Sequence, residues 1–346
     1  MNRLTALLGR NLGLSLAVAL FLLFYGIYNA LHPRGFTAAV LIQNANESLA
    51  LVMVAMAQTV PVLAGGLDLS VGAVMTLVNC IASHLLLGSP AAILAGTIVC
   101  LATGALAGFV NGCVVVYGRL QPIIATLATG AVYLGIALYL RPTPGGDLDK
   151  DLAWALTNDL YELAATYGWF DNGEAAWFQP LAWIPVPLLL MIAVVIVVWL
   201  PFRAAVTGRN VYAVGSSESA AYMSGLAIDQ ARLAAFTLAG FFAGIGGLYL
   251  AIQTSSGSAD VPQAGAYTLN SIAAVVIGGT ALTGGSGGAF GSLVGALVLR
   301  AISFNFRIFD VPPLLQPLFE GLVLLAAVSI GASRVFRVRN RLQLMG

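Results

Sequence analysis

The sequence predicts an all-helical membrane protein, and its composition and hydropathy are the observations that predict it. Of the 346 residues, 59% are hydrophobic and only 8% are charged, against about 45–50% and about 25% in ordinary soluble domains. The mean hydropathy is +0.92, so a water-soluble fold would lack the charged residues needed to cover its surface. The chain is therefore expected to lie in a lipid bilayer.

The charge balance and the cysteines exclude several classes of function. Fifteen Lys and Arg against fourteen Asp and Glu give a net charge of +1, which provides no basic field for nucleic acid. The cysteines Cys80, Cys100 and Cys113 are odd in number and lie in apolar runs, so neither a disulfide framework nor a metal site is expected. The 39 glycines fit close helix packing in a membrane.

Ten apolar stretches are long enough to be membrane-spanning helices, each of which needs about 20 residues. The predicted spans are 12–31, 46–64, 71–87, 91–116, 122–141, 185–201, 231–252, 267–283, 289–306 and 313–331. The first resembles a signal peptide, but its apolar run is longer than a signal peptide's and it lacks a convincing cleavage site. We interpret it as a retained helix and the whole chain, 1–346, as one transmembrane domain.

Lys and Arg in short loops predict the orientation of these spans. The N-terminus, the turn at Arg119, the 202–230 loop and the C-terminal tail all carry arginine. This pattern places both termini and the 202–230 loop in the cytoplasm, with Arg34, Arg300 and Arg307 as exceptions near the outer side. The segment 142–184 then faces outward as a periplasmic insertion.

The outward segment is acidic and rich in tryptophan. It holds seven of the fourteen acidic residues and four of the five tryptophans, Trp154, Trp169, Trp177 and Trp183. Because Trp favours the headgroup level, residues 152–183 are expected to form one or two short helices on the outer surface. They could serve as interfacial anchors or as a docking platform for an outside partner.

Nothing in the sequence indicates catalysis or nucleotide binding. His32 and His84 are the only histidines, neither has a partner at metal-ligand spacing, and there is no phosphate-binding loop of the G-x-x-x-x-G-K-[ST] type. We therefore expect a non-catalytic chain that binds no cofactor. If transport is driven by ATP, a separate ATPase subunit must bind the ATP and Mg.

Polar residues inside the spans are costly and therefore informative. Glu320 is the deep carboxylate, whereas Glu47 and Asp68 lie near predicted helix ends. The uncharged polar residues suit a neutral, hydroxylated solute, although a helix-helix hydrogen bond is the commoner role for any one of them. The predicted substrate-path or gate residues are Asp68, Ser70, Gln58, Asn79, Asn111, Thr126, Gln253, Asn270 and Glu320.

Two glycine-rich stretches interrupt the apolar runs. In A-G-G-L-D-L-S-V-G at 64–72, the paired glycines permit a tight turn and Asp68 or Ser70 can cap the following helix. The stretch I-G-G-T-A-L-T-G-G at 277–285 echoes it, with Gly278 and Gly279 in step with Gly65 and Gly66. Two such turns on one membrane side suggest an internal repeat of the kind found in transporters.

The predicted cytoplasmic loop contains a short helix. Ser216 or Ser217 can cap it, Glu218 lies in its first turn, and Gly225 is placed to end it. A helix of about two turns is marginal alone, and Tyr222 and Met223 offer apolar surface to a partner. We therefore predict that this loop couples the chain to another protein.

These motifs resemble the membrane permease subunits of ribose-type ABC sugar importers. The resemblance rests on G-G-L-D-L-S-V-G at 65–72, Q-P-I-I-A-T-L at 121–127, T-G-R-N-V-Y-A-V-G at 207–215, A-A-Y-M-S-G at 220–225 and V-V-I-G-G-T-A-L-T-G-G at 275–285. It implies a ten-helix type II ABC importer permease in the bacterial inner membrane. Its implied partners are a cytoplasmic tandem ATPase, a periplasmic substrate-binding protein and a second permease copy, as a homodimer or a heterodimer.

The resemblance also assigns the coupling residues. In these permeases an E-A-A-x-x-x-G helix docks into a cleft of the ATPase; here Ser219 stands where the motif has Glu, with Glu218 one residue earlier. The implied coupling set is Gly208, Arg209, Asn210, Gly215, Glu218, Ser219, Ala220, Ala221 and Gly225. The expected cargo is a monosaccharide or similar neutral hydroxylated solute.

Two kinds of alternative remain open. The same machine could carry branched-chain amino acids, nucleosides or a furanone-like signal. Less favoured is an ion-coupled secondary carrier that depends on Glu320, or a purely structural membrane scaffold. The translocation path, at the dimer interface or through each bundle near helices five and ten, is not decided by the sequence.

Overall fold

The computed structural model describes residues 12–170 and 175–315, together with 318, 319, 321, 322 and 325. Within these residues the chain is helical, and β structure is limited to two isolated bridges, Gly145 with Gly257 and Asp159 with Pro185. The described helices, in chain order, are α1 Leu12–Leu31, α2 Ala38–Leu63, α3 Val71–Leu85, α4 Pro90–Val116, α5 Pro122–Leu140, α6 Lys150–Thr157, α7 Leu160–Thr166, α8 Ala175–Phe178, α9 Val186–Ala204, α10 Val206–Ser216, α11 Glu218–Met223, α12 Ile228–Thr254, α13 Val261–Ile277 and α14 Ala289–Ile308.

Nine of the ten predicted spans overlap helices in the described residues, and the tenth, 313–331, lies largely outside them. The helix predicted at 267–283 is Val261–Ile277, six residues earlier, because the chain turns at Gly278 and Gly279. Seven helices (α1, α2, α4, α5, α9, α12 and α14) are long and apolar enough to cross a membrane, whereas α3 and α13 are shorter. Helix α2 begins eight residues before the predicted start, because the hydroxyl of Thr37 accepts a hydrogen bond from the Val40 N–H and caps the helix there. An all-helical membrane fold is therefore confirmed.

The connecting segments collect at two opposite ends of the bundle. At one end, which we call the glycine end, lie the turns 64–70, 117–121 and 278–288 and the segment 205–227. At the other, which we call the acidic end, lie 32–37, 86–89, 141–185 and 255–260. Contacts between separate segments define each end, such as the 3.0 Å hydrogen bond from Gly285 N–H to Leu63 O and the 2.8 Å bond from Asp149 N–H to Leu86 O.

Glycines allow α4 and α12 to cross in backbone contact. A Cβ placed at Gly108 would lie 2.1 Å from the Phe236 carbonyl oxygen, and one at Gly240 would lie 2.1 Å from the Gly104 oxygen. No side chain fits at such distances, so the crossing depends on glycine on both helices. This close packing holds α12 at the centre of the bundle, where it also packs against α2 and α3.

The described part of the segment at the acidic end forms three short helices, α6, α7 and α8, where the sequence predicts one or two. Helices α6 and α7 are capped by Asp149 and Asp159, whose carboxylates accept hydrogen bonds from Leu152 and Glu162 N–H, each at 2.8 Å. Two of the predicted outward charges are therefore helix caps, and Asp159 is buried. Asp171 and Glu174 lie outside the described residues, while the rings of Trp169, Trp177 and Trp183 are exposed.

Candidate functional site

At the glycine end, helix α2 terminates in a turn that requires one residue in the left-handed backbone conformation. Gly65 has φ of +81°, a conformation that strains residues with a Cβ. Its N–H donates to Val62 O at 3.0 Å, and Gly66 N–H donates to Pro61 O at 2.9 Å. This is the Schellman pattern that closes many helices, and it turns the chain into 64–70 as the sequence predicts.

Side chains from three helices satisfy the backbone of this turn. The Gln58 amide nitrogen donates to Asp68 O at 2.7 Å, and the Gln58 amide oxygen accepts from Asp68 N–H at 3.3 Å. The hydroxyls of Thr126 and Thr268 accept hydrogen bonds from Leu69 N–H at 2.9 Å and Gly72 N–H at 3.1 Å. The turn is thus fixed to helices α2, α5 and α13.

The Asp68 carboxylate begins a buried chain of hydrogen bonds. Its Oδ1 accepts from Ser70 N–H at 2.8 Å and from Ser70 Oγ at 2.6 Å. Asn111 Nδ2 donates to Ser70 Oγ at 2.7 Å, and Tyr133 OH donates to Asn111 Oδ1 at 3.0 Å. All four side chains are buried, so a substitution of any one of them changes the hydrogen bonding of the others.

The structure thus brings together five of the predicted path or gate residues: Gln58, Asp68, Ser70, Asn111 and Thr126. Their contacts are with the turn and with one another. The predicted cap takes a different form, because Ser70 makes no capping bond and Asp68 accepts the N–H of the N-cap residue itself. Sequence reasoning missed Tyr133 and Thr268, whose positions relative to the turn depend on tertiary packing.

The other predicted path residues lie elsewhere. Asn79 Oδ1 accepts a 2.8 Å hydrogen bond from Ser258 N–H near the acidic end. Gln253 and Asn270 are half-buried on α12 and α13, and Glu320 lies outside the described residues. No group of three His, Cys, Asp or Glu able to hold a metal ion occurs in the described part of the chain.

The second glycine-rich turn repeats the geometry of the first with an offset of one residue. Gly279 has φ of +81°, and its N–H donates to Val276 O at 2.9 Å while Thr280 N–H donates to Val275 O at 3.1 Å. The counterpart of Gly65 is therefore Gly279, whereas the sequence comparison paired Gly65 with Gly278. Both turns lie at the glycine end, as the sequence predicts.

The two turns meet at the end of α10 in what we call the glycine junction: Gly65, Gly215, Gly284 and Gly285. A Cβ at Gly215 would lie 1.8 Å from Leu63 O and 2.7 Å from Gly285 N, and one at Gly284 would lie 3.0 Å from the Gly65 Cα. Backbone thus touches backbone between three separate segments. The junction joins α10 directly to the end of α2 and to the turn that precedes α14.

The predicted short helix is present as α11, with the predicted ends. Ser217 caps it by accepting a 3.3 Å hydrogen bond from Ala220 N–H, and Gly225, with φ of +73°, ends it. Tyr222 and Met223 are 75% and 81% exposed. These two side chains form an apolar surface at the tip of the glycine end.

Helix α10 was not predicted, although it carries the motif 207–215. Gly208 and Gly215 disfavour a helix by propensity, but close approach requires them, since a Cβ at Gly208 would lie 2.1 Å from Phe202 O. Tyr212 OH donates to Gly287 O at 3.0 Å. Burial raises the pKa of the Tyr212 phenol, and the charge of Arg203 opposes that shift.

Other predicted coupling residues surround these helices. Arg209, Ser219 and Ala220 are exposed, Asn210 is half-buried, and Ala221 is buried. Glu218 forms a 2.6 Å ion pair with Arg232 of α12, which ties the start of α11 to the bundle. Because the side chains of Arg232 and Glu218 are 31% and 55% exposed, water screens the pair and it contributes little stability.

Known proteins are similar to this chain over most of its length. The family model described as branched-chain amino acid transport system / permease component matches residues 40–328. The chain is 31% identical to the ribose import permease protein RbsC of Escherichia coli (strain K12) over 311 residues, 89% of this chain and 90% of that protein. No solved structure matches it significantly.

Two further relatives are named for other sugars. The D-allose transport system permease protein AlsC of Escherichia coli (strain K12) is 30% identical over 88% of this chain and 87% of its own length. The fructose import permease protein FrcC of Rhizobium meliloti is 32% identical over 80% of this chain and 73% of its own length. Each match extends over most of the bundle.

Proposed function

The chain belongs to the family of branched-chain amino acid transport system permease components, and on this premise we propose that it is the membrane subunit of an ATP-driven monosaccharide importer. Its family and the seven membrane-length helices among its described residues make it a multi-pass protein of the bacterial inner (plasma) membrane. Permease subunits of ABC importers are generally non-catalytic, and ATP with Mg is bound by the separate ATPase.

Among the possible cargoes, we favour a sugar. Relatives over most of the chain are named for ribose, allose and fructose. The buried polar groups described above are mainly hydroxyls and amides, and the Asp68 carboxylate is held by Ser70. A neutral, hydroxylated solute needs no counter-ion during passage. The alternative to a sugar is that a machine of the same kind carries branched-chain amino acids, nucleosides or a furanone-like signal.

The observation that carries the coupling mechanism is the glycine junction. In this proposal the ATPase receives α11 through the exposed Tyr222 and Met223, and closure of the ATPase upon ATP moves α10 and α11 together. Since Gly215 lies against Leu63 O and Gly285 N, that movement reaches the turns next to α3 and α14 without an intervening side chain. The bundle then changes its access from the periplasm to the cytoplasm.

In this proposal the charges at the glycine end and the acidic end of the bundle determine which end faces the cytoplasm. The glycine end carries Arg119, Arg203, Arg209 and Arg232, which suits the cytoplasm by the positive-inside rule. The acidic end carries exposed acids and exposed tryptophans, which suit a periplasmic substrate-binding protein that delivers the sugar. A second permease copy, identical or related, completes the membrane unit.

The experiment that tests the function begins with an affinity purification of the tagged chain from native membranes. The expected result is that a protein with two phosphate-loop ATPase domains co-purifies. The purified assembly, placed in vesicles with its binding protein, should take up D-ribose, D-allose or D-fructose only with hydrolysable ATP. A chain that purifies alone and moves solute without ATP would instead establish an ion-coupled carrier, and Glu320→Gln would then be the variant to test.

A further inference from the structure

Arg300 is a charged residue inside a membrane-length helix. It is the twelfth of the twenty residues of α14, about 12 Å from the helix end at the acidic end by the 1.5 Å rise per residue. This depth differs from the sequence expectation, which placed Arg300 near the outer side. Ionisable side chains at such depth are rare, and they commonly mark pathways for a substrate or an ion.

The guanidinium of Arg300 is only partly satisfied by the described part of the chain. Its Nη2 donates to the Tyr267 hydroxyl at 3.1 Å, and its Cζ lies 5.7 Å from the centroid of the Tyr267 ring. Its Nε is buried without a hydrogen-bond partner. Among the described residues the ion pairs are those of Arg232 and Arg307, so no described carboxylate neutralises Arg300.

This pair has the chemistry of a sugar contact. A guanidinium offers five N–H donors in a planar fork, and the hydroxyl and ring oxygens of a monosaccharide are acceptors. A charge without a carboxylate partner is stable at this depth only where water or a polar solute reaches it. The aromatic ring of Tyr267 adds an apolar surface beside the guanidinium. The Tyr267 hydroxyl is a further hydrogen-bonding group there.

We propose that Arg300 and Tyr267 line the aqueous passage through the bundle and that Arg300 donates hydrogen bonds to the hydroxyl oxygens of the monosaccharide in transit. The proposal rests on the proposed function as a sugar importer. It places one part of the passage between α13 and α14, a location that the sequence alone does not decide. Because the contact is a few hydrogen bonds, the sugar can be released again.

The first test measures whether water reaches position 300. Arg300→Cys is made in a background with Cys80, Cys100 and Cys113 replaced by alanine, in the full complex in lipid nanodiscs. A cationic, membrane-impermeant methanethiosulfonate reagent modifies ionised thiols, which form in water and not in hydrocarbon. Leu299→Cys, next to it and 5% exposed, and Ile98→Cys, on the apolar face of α4, are the controls.

We expect the thiol at position 300 to react at least about tenfold faster than either control, and D-ribose with its binding protein to slow the reaction. Equal rates at 300 and at the buried control would overturn the proposal. This measurement does not depend on transport. A wild-type complex that takes up no sugar with ATP would therefore refute the importer while leaving the accessibility result intact.

The second test measures sugar uptake. Arg300→Met should lower the maximal uptake rate about tenfold or more, as expected for loss of charge-assisted hydrogen bonds, with ATP hydrolysis and binding-protein affinity unchanged. Arg300→Lys, which keeps the charge and three donors, should recover part of the rate and covers the case in which Arg300→Met fails to assemble. Two results would overturn the sugar contact. One is uptake at the wild-type rate by an assembled Arg300→Met variant. The other is uptake at the wild-type rate by an assembled Arg300→Lys variant whose lysine is acetylated.

Discussion

Replacing Gly215 by alanine should separate ATP hydrolysis from sugar uptake. The added Cβ would lie 1.8 Å from Leu63 O, where ordinary contact begins at 3.4 Å, so the two backbones must separate by about 1.6 Å. The same Cβ would lie 2.7 Å from Gly285 N, so it crowds both atoms of the 3.0 Å hydrogen bond from Gly285 N–H to Leu63 O. Overpacking costs about 1–3 kcal/mol and loss of that hydrogen bond about 0.5–1.5 kcal/mol, so we expect the junction to be destabilised by about 1.5–4.5 kcal/mol.

The assay counts sugar molecules imported per ATP hydrolysed, in vesicles that contain the chain, its ATPase and its binding protein. We expect the Gly215→Ala chain to reach the membrane and bind the ATPase, with the imported sugar per ATP reduced at least about tenfold. Gly135→Ala is the matched control, because a Cβ at Gly135 meets nothing within 4 Å and alanine favours the helix. A Gly215→Ala chain with the wild-type ratio and an unchanged unfolding temperature would refute the role of the junction.

Three further predictions concern the same end of the bundle and the helix crossing. Gly225→Val should uncouple transport and Gly225→Asn should not, because φ of +73° strains valine while asparagine tolerates it; equal uptake by the two variants would contradict the role of the turn. Asp68→Ala removes two hydrogen-bond acceptor contacts from a buried network and should lower the free energy of unfolding by about 2–4 kcal/mol, measured by denaturation in detergent; a change below about 0.5 kcal/mol would contradict it. Gly108→Val should reduce the amount of folded protein in the membrane, since even its Cβ would lie 2.1 Å from Phe236 O; normal accumulation would show that the helices can separate without cost.

Local patterns predicted local structure well. The ends of α11 follow from Ser217, which caps the helix, and from Gly225, which adopts a positive φ that most other residues avoid. The turn after α2 follows from the paired glycines at 65 and 66. These predictions succeeded because the signals act within a few residues along the chain.

The hydrogen-bond partners of the buried polar residues could not be predicted from local sequence patterns. Thr126 and Thr268 resemble ordinary membrane threonines in the sequence, yet each accepts an N–H of the 64–72 segment from a different helix. Helix α10 was missed because its glycines disfavour a helix, and the reason for them is contact with Phe202 O and Leu63 O. Such reasons lie in the packing of distant segments, which one sequence does not contain.

Helices α3 and α13 are shorter than the hydrocarbon layer of a bilayer is thick, and this sets the thickness of the barrier beside them. Their 15 and 17 residues measure about 22 and 25 Å, less than the roughly 30 Å of hydrocarbon in a bilayer. In the proposed importer, the turns at their glycine-end termini would therefore lie below the lipid headgroups, where unpaired backbone groups are too costly to tolerate. A sugar that crosses beside these helices would then meet a barrier several ångströms thinner than the surrounding membrane, so small displacements of the turns would suffice to open or close it.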